Sequence, residues 1–448
     1  MSSGLVAWRP WHCLEARRNE GRFFASPVIG QLGRKLPQQP PHIGSPPQDP
    51  ARRRRETLSS PSPRIVPSAP VTQTLTDSTL RAHLEQNLLV GGAVAVYRDG
   101  ELWQDLCVGS VDPDGPPVTT DTPFILFSNS KPLAASCLHW LHSQGAFEWD
   151  DPVARFWPEF GQHGKGRVTI RHLLSHQGGF PHTPPELTWE RLKDWGESVR
   201  IIERMSCDYP PGQGVYHAIT IGFAIGELVR RVDSRSVAEV FRDEIARPLG
   251  LSRTSLGASP DLSASSPAVH NLVPLDSPER EHRSPFMRDA EMPERGILDT
   301  ELVQEMNHPS VRAACIPAIT AVASARDLAR FYAMYLAGGS LDGVKVLEPA
   351  TVEEALRVQV EGIDPVLAEA YGEAFAYRGR TLGMCTWVPN SPIIGHAGGG
   401  ITFCWLNRKH QITMAYLTNG FVAVADQYRR SQEMGRAIVA DKKALESA

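Results

Sequence analysis

Hydrophobic and polar positions alternate on both sides of Arg98-Asp99-Gly100 in "LLVGGAVAVYRDGELWQDLCVG" (Leu88 to Gly109), which predicts a β-hairpin closed by a glycine turn. "ITFCWLNRKHQITMAYLTN" (Ile401 to Asn419) predicts a second hairpin. Between them the period changes. From Lys131 to about Val232 apolar residues recur at three- and four-residue spacing: "LAASCLHWLHSQG" ends on a glycine cap, and "TIGFAIGELVRRV" continues the pattern. "ARDLARFYAMYLAGG" is a further amphipathic helix and "DQYRRSQEMGRAIVADKKAL" a terminal one. The stretch Ser252 to Pro309 carries no period and reads as a long surface loop. Strands at both ends with helices between them predict an α/β fold. One sheet is assembled from the two ends of the chain, and a mostly helical block is inserted in the middle.

Residues 1–75 differ from everything after them. "QLGRKLPQQPPHIGSPPQDPARRRRETLSSPSPRIVPSAP" is rich in Pro, Ser and Arg and has no sustained apolar period, so burial cannot offset its ordering entropy and a disordered tail is expected. The first 35 residues are Arg-rich with few acids, and "RFFAS" (Arg22 to Ser26) resembles a mitochondrial processing site. Glu15 and Glu20 interrupt that pattern, which leaves import the weaker reading beside a plain intracellular, cytoplasmic protein. Order is expected from near Leu80, within a domain over 76–448. Its α/β part covers 80–130 and 315–448, and its helical insertion 131–314.

Composition narrows the function classes. Of 448 residues, 41% are hydrophobic and 21% charged, as in a soluble globular protein with a sizeable core. A net charge of −4 provides no general attraction to nucleic acid or anionic lipid, so no nucleic-acid partner is expected, and "ARRRRE" reads as a solvated charge run. No apolar run approaches the roughly 20 residues of a membrane span, so no transmembrane segment is expected. The seven cysteines are scattered without a C-x-x-C, which suggests buried thiols in a reducing compartment. No His-Glu-x-x-His helix or other metal motif occurs, so neither metal nor cofactor is expected.

The candidate chemistry lies in "FILFSNSKPLAAS" (Phe124 to Ser136), where strand-like sequence becomes helix. Ser128 and Lys131 are three residues apart and share a helical face. A serine hydroxyl needs a base to take its proton, and a lysine with a pKa lowered by burial can be that base. A Ser128 N–H in the first turn would have no intrahelical acceptor and could face a developing oxyanion. Pro132 disfavours helical angles at Lys131 but is tolerated in a first turn. Serine is common, and the pair by itself is equally compatible with coincidence.

Further segments follow in order: "FEWDDPVARFWPEF", "VTIRHLLSHQGGF", "YPPGQGVYHAITIGFAIGELVRRV", "EIARPLGL", "ARDLARFYAMYLAGGSLDGVKVL" and "IIGHAGGGITFCWL". Together with "FSNSKPLAASCLHWL" they resemble the serine β-lactamases and penicillin-binding proteins, in particular the class C type, over roughly Leu80 to Val439. The resemblance implies the β-lactamase/transpeptidase-like fold, with Ser128 as acylated nucleophile and Lys131 as its base partner. It implies Tyr216 as the tyrosine of the family's Tyr-x-Asn motif, its phenol lowered toward working range by two nearby cations. His396-Ala397-Gly398 matches the Lys-Thr-Gly segment, with His396 aimed at the tyrosine or at a substrate carboxylate, and Gly398 and Gly399 lining the substrate. The Gly399 N–H would be the second oxyanion donor.

The chain departs from that pattern at two places. Ala218 stands where the family has asparagine, and His396 replaces lysine. Both departures resemble the esterases (family VIII carboxylesterase-like) and acyltransferases of the superfamily and argue against efficient β-lactam hydrolysis. His217, beside the tyrosine, is left outside the catalytic group. The Gly-x-Ser-x-Gly elbow of α/β-hydrolases is absent. The resulting expectation is a serine hydrolase acting on a small-molecule ester, thioester or lactam through a Ser128 acyl-enzyme. The alternatives are an acyltransferase passing the acyl group to an alcohol, or a silent scaffold like filament-forming mitochondrial relatives.

Overall fold

The computed structural model of the chain describes residues 74–281, 283–288 and 296–447. The expectations for the disordered tail, the import segment and "ARRRRE" lie outside these residues. The first helix begins slightly earlier than anticipated, at Leu75. Thr74 caps it by accepting from Asp77 N, and Asp441 accepts from the Leu75 and Thr76 amides at 2.8 and 2.9 Å. A carboxylate at a helix N-terminus satisfies otherwise orphaned donors. It also ties the start of the fold to its last helix.

The expected hairpin is formed by β1 (Gly91–Arg98) and β2 (Glu101–Gly109). Its two-residue turn places both Asp99 (φ 51°) and Gly100 (φ 85°) in the left-handed region that suits the twist of a tight hairpin. Six more strands come from the other end of the chain. They are β3 (Val360–Ile363), β4 (Tyr377–Arg380), β5 (Cys385–Thr386), β6 (Ile393–Gly398), β7 (Thr402–Asn407) and β8 (Ile412–Thr418). All eight form one antiparallel sheet in the order β3-β4-β5-β6-β7-β8-β1-β2. The β1–β8 pairing, with Ala95 opposite Ala415, joins the two chain ends.

β1 is apolar at nearly every position because both faces of the sheet are covered. Ala93, Ala95, Tyr97, Ala415 and Leu417 belong to the main core, which includes the helix Ala325–Leu336. Val94, Val96, Met414 and Tyr416 meet Leu80, Met434 and Ile438 of the first and last helices. The period-two pleat divides one continuous apolar run between two cores.

The stretch 252–309 differs from its reading as loop. Ser255–Leu256 pairs with Ala321 and Val322, His270–Asn271 runs parallel to Gly420–Phe421, and short helices span Pro260–Ser265 and Asp299–Asn307. These elements are too short to show a period, and single apolar residues such as Leu256, Leu262 and Val269 anchor them. Among the described residues no helix is long and apolar enough to cross a membrane.

Candidate active site

Ser128 sits in a 3₁₀ turn, Phe127–Asn129, that runs into the helix Ser130–Ser143. It is partly exposed, while its neighbours from Phe124 to Leu133 are buried. Phe127 adopts φ 48°, an uncommon conformation for a bulky residue, and such strain persists only where the surroundings enforce it. Here the Ser130 hydroxyl donates to Phe127 O at 2.6 Å and accepts from Ala321 N at 3.0 Å. Thr402 Oγ1 donates to Leu126 O at 2.8 Å, and the Asn129 amide donates to Thr402 Oγ1 at 2.9 Å. The serine turn is thus fastened to both β7 and the strand Ala321–Ala323.

Three of the anticipated residues meet at one atom. Lys131 Nζ donates to Ser128 Oγ at 3.0 Å, and Tyr216 OH donates to the same oxygen at 2.8 Å. Lys131 also donates to Ala318 O at 3.2 Å. Gly222 lets the Ala318 backbone approach the helix Thr220–Asp233, since a Cβ there would come within 2.4 Å of Ala318 N. Pro132 falls in the first helical turn, where its missing N–H leaves no hydrogen bond unmade. Burial pushes the Lys131 amine well below its ordinary value, with Arg380 adding to the shift.

Tyr216 precedes the helix Thr220–Asp233, and its segment is docked by Val215 N donating to His176 O at 2.9 Å. The phenol titrates opposite to the sequence expectation. Burial pushes it up to about 12, outweighing the hydrogen bond with Ser128 and the charge of Arg380. Lys131, whose amine lies 5.1 Å from the ring centroid, is itself driven toward the neutral form by the same burial.

His396, on β6, lies with its ring centroid 6.2 Å from that of Tyr216. Its Nδ1–H donates to Ala397 O at 2.8 Å, so Nε2 carries the lone pair, buried and without a partner. Burial and Lys131 push the imidazole down to about 3. The ring thus presents an acceptor rather than a cation at Nε2. His217 is engaged on both sides: Nδ1–H donates to Val215 O at 2.7 Å and Nε2 accepts from Phe180 N at 3.1 Å. Its role is to hold the tyrosine segment. Gly398 and Gly399 close the other side. A Cβ at Gly398 would lie 3.0 Å from Ser128 N, and one at Gly399 would lie 2.8 Å from the Phe127 ring. Gly399 also takes φ 52°. The strand end can approach the serine amide only because these residues lack side chains.

A serine hydroxyl here accepts hydrogen bonds from an amine and a phenol, and a family model described as Beta-lactamase matches residues 76–436. The chain belongs to the β-lactamase family. As a member it is a serine hydrolase of the β-lactamase/transpeptidase-like fold. It is 29% identical over 344 residues to the esterase/beta-lactamase LipL of Mycobacterium tuberculosis, covering 73% of this chain and 77% of that one. It is 28% identical to the esterase EstB of Burkholderia gladioli over 39% of this chain and 49% of the relative. Among solved structures, a family VIII carboxylesterase superposes with a TM-score of 0.69 at 24% identity, over 81% of this chain and 96% of the other.

Two residues beside Tyr216 escaped the sequence reading. His176, at φ 60° and buried, packs its ring 4.9 Å from that of Tyr216 and accepts from His217 N at 3.0 Å. Arg380, on β4, lies 5.1 Å from the Tyr216 ring centroid, as does Lys131. The histidine was visible only as one letter within "SHQGG". The arginine, in "YRGRTLG", resembles an exposed edge strand until the fold buries it.

Proposed function

We propose that the protein cleaves carboxylic esters, thioesters included, through an acyl-enzyme on Ser128, with Lys131 and Tyr216 as the acid/base pair. The observation that carries this reading is the double hydrogen bond to Ser128 Oγ, from Lys131 Nζ at 3.0 Å and Tyr216 OH at 2.8 Å. A lysine driven toward its neutral form has a lone pair for the serine proton. As Oγ bonds to the carbonyl carbon, that proton passes to the Lys131–Tyr216 pair, and the carbonyl oxygen takes the negative charge. The N–H groups of Ser128 and Gly399 face it, and the pair then returns the proton to the departing alkoxide or thiolate. Water, deprotonated by the same pair, releases the acid and restores Ser128.

His396 and Gly398 line the substrate in this reading. With an acceptor at Nε2 rather than a cation, the site suits a neutral ester better than a carboxylate-bearing lactam. An alcohol replacing water in the second step would make the same site an acyltransferase. Comparing ester with free acid after adding candidate alcohols separates these outcomes. The intact Ser128–Lys131–Tyr216 group speaks against a silent scaffold.

Replacing Ser128 with alanine tests the reading. Turnover of a chromogenic short-chain ester is expected to fall by about 10⁴- to 10⁶-fold. An unchanged rate would refute it.

A further inference from the structure

Ionising a buried phenol requires a positive charge close to it, and most of the groups around Tyr216 cannot supply one. Ser128 and Lys131 approach from the serine turn and its helix, His176 and His217 from the docked segments, His396 from β6, Cys385 from β5, and Arg378 and Arg380 from β4. His217 spends both ring nitrogens on backbone, and His396 donates its one proton to Ala397 O. Burial drives His176, His217 and His396 toward the neutral form and Lys131 toward the free amine. A guanidinium keeps its charge where amines and imidazoles lose theirs.

Arg380 is also held in place. Its Nη2 is 2.5 Å from Asp364 Oδ2, and the two side chains are only 3% and 2% exposed. The other oxygen of Asp364 accepts from Val366 N at 3.1 Å and Leu367 N at 3.2 Å, at the start of the helix Pro365–Tyr371. A carboxylate fixed by a helix terminus therefore aims the guanidinium at the aromatic ring. Arg378, two residues away on the same strand, turns instead to the carbonyls of Phe375 and Tyr377, at 2.8 and 2.6 Å.

We propose that Arg380 is a positioning residue for the acyl-transfer reaction: the fixed positive charge, anchored by Asp364, that stabilises the phenolate of Tyr216 as the proton leaves Ser128. The inference rests on the acyl-enzyme reading above. Its direction does not depend on which partner ionises first, because Arg380 favours the deprotonated form of both Lys131 and Tyr216. The two titrate as a coupled pair with shared apparent values.

The test is the rate of Ser128 labelling by a fluorophosphonate probe, measured against pH for the full-length protein, Arg380→Gln and Arg380→Lys. Losing a charge at this range moves a partner's titration by about one unit or more. The ascending limb of the Arg380→Gln profile is therefore expected to shift to higher pH. Labelling would be roughly tenfold slower below the limb and would converge with wild type above it. Arg380→Lys, whose amine, unlike that of Lys131, would have the Asp364 carboxylate beside it to hold it charged, is expected to return the limb most of the way to its wild-type position. An equal loss at every pH, with the limb unmoved, would overturn the proposal and leave Arg380 a packing residue. If Arg380→Gln does not fold, the double variant Arg380→Gln/Asp364→Asn removes both charges and leaves no buried ion unpaired. The same shift is expected of it, and an unmoved limb would again overturn the proposal. If the probe leaves Ser128 of the wild-type protein unlabelled, the acyl-enzyme reading fails and this inference falls with it. A labelled Ser128 with an unmoved limb removes only the role of Arg380.

Discussion

The phenol of Tyr216 donates to Ser128 Oγ at 2.8 Å, although the two residues are separated by 88 positions in the chain. Lys131 reaches the same oxygen from one helical turn away. A local pair and a distant aromatic thus share one hydroxyl. The distant partner is positioned by the His176–His217 backbone contact, by Val215 and by burial on every side.

Removing only the phenolic oxygen isolates its contribution. Tyr216→Phe keeps the ring against His176, Lys131 and Arg380, so the circular dichroism spectrum and melting temperature are expected to change little. Ester turnover is expected to fall by at least about 10²-fold, in the range typical of a lost general acid–base group. Steady-state kinetics checks this, and a turnover close to wild type would contradict the assigned role.

Acid should destabilise the fold through its buried imidazoles. His139, His217 and His396 are each pushed down to about 3 by burial, and His176 is lowered too. The unfolded chain therefore takes up protons first as pH falls below about 6.5. Stability is fully present above that value and is lost progressively toward pH 3. Asp327, pushed up to about 6 by burial, and Asp105, also raised by burial, act in the opposite sense as pH falls, but the lowered imidazoles outnumber them. Urea midpoints measured from pH 7 to pH 4 are expected to decline steadily, and a flat profile would contradict this.

Arg430 connects the last helix to the active-site turn. Fully buried, it donates to Leu88 O at 2.5 Å, to Gly420 O at 3.0 Å and to Gly400 O, the residue after Gly399. Arg430→Met leaves three carbonyls without this donor, and a loss of about 2 kcal/mol or more is expected in chemical denaturation. Ester turnover should fall with it, because the Gly399–Gly400 turn loses its support.

Ala218 and a neutral His396 leave little to hold a lactam's amide and carboxylate. Hydrolysis of a chromogenic cephalosporin is expected to be at least about 10²-fold slower than that of a short-chain ester, a difference of the size caused by one missing stabilising donor. Parallel assays on the same preparation decide this.

Much of this arrangement was legible in the residues. The first hairpin announces itself through its Asp-Gly turn and the second through its two apolar-rich runs around a polar turn, and their pairing follows from two chain ends that each lack a partner. Ser128 and Lys131 are visible because they share a helical face at a strand-to-helix boundary. Tyr216 and the His396 segment became visible only through family resemblance. His176 and Arg380 were hidden because their significance is created by burial, which no local pattern encodes. The same physics reversed the expectation for the Tyr216 phenol: nearby cations were anticipated, but the desolvation that neutralises Lys131 was not. The short elements within 252–309 fell below the length at which any period can be read.

The most direct test is intact mass after brief exposure of the protein to a panel of acyl esters and thioesters, followed by peptide mapping. The account predicts a single added acyl group, located on Ser128, that disappears on further incubation in water and never forms on Ser128→Ala. Substrate turnover with no adduct on Ser128, or an adduct on another side chain, would contradict it.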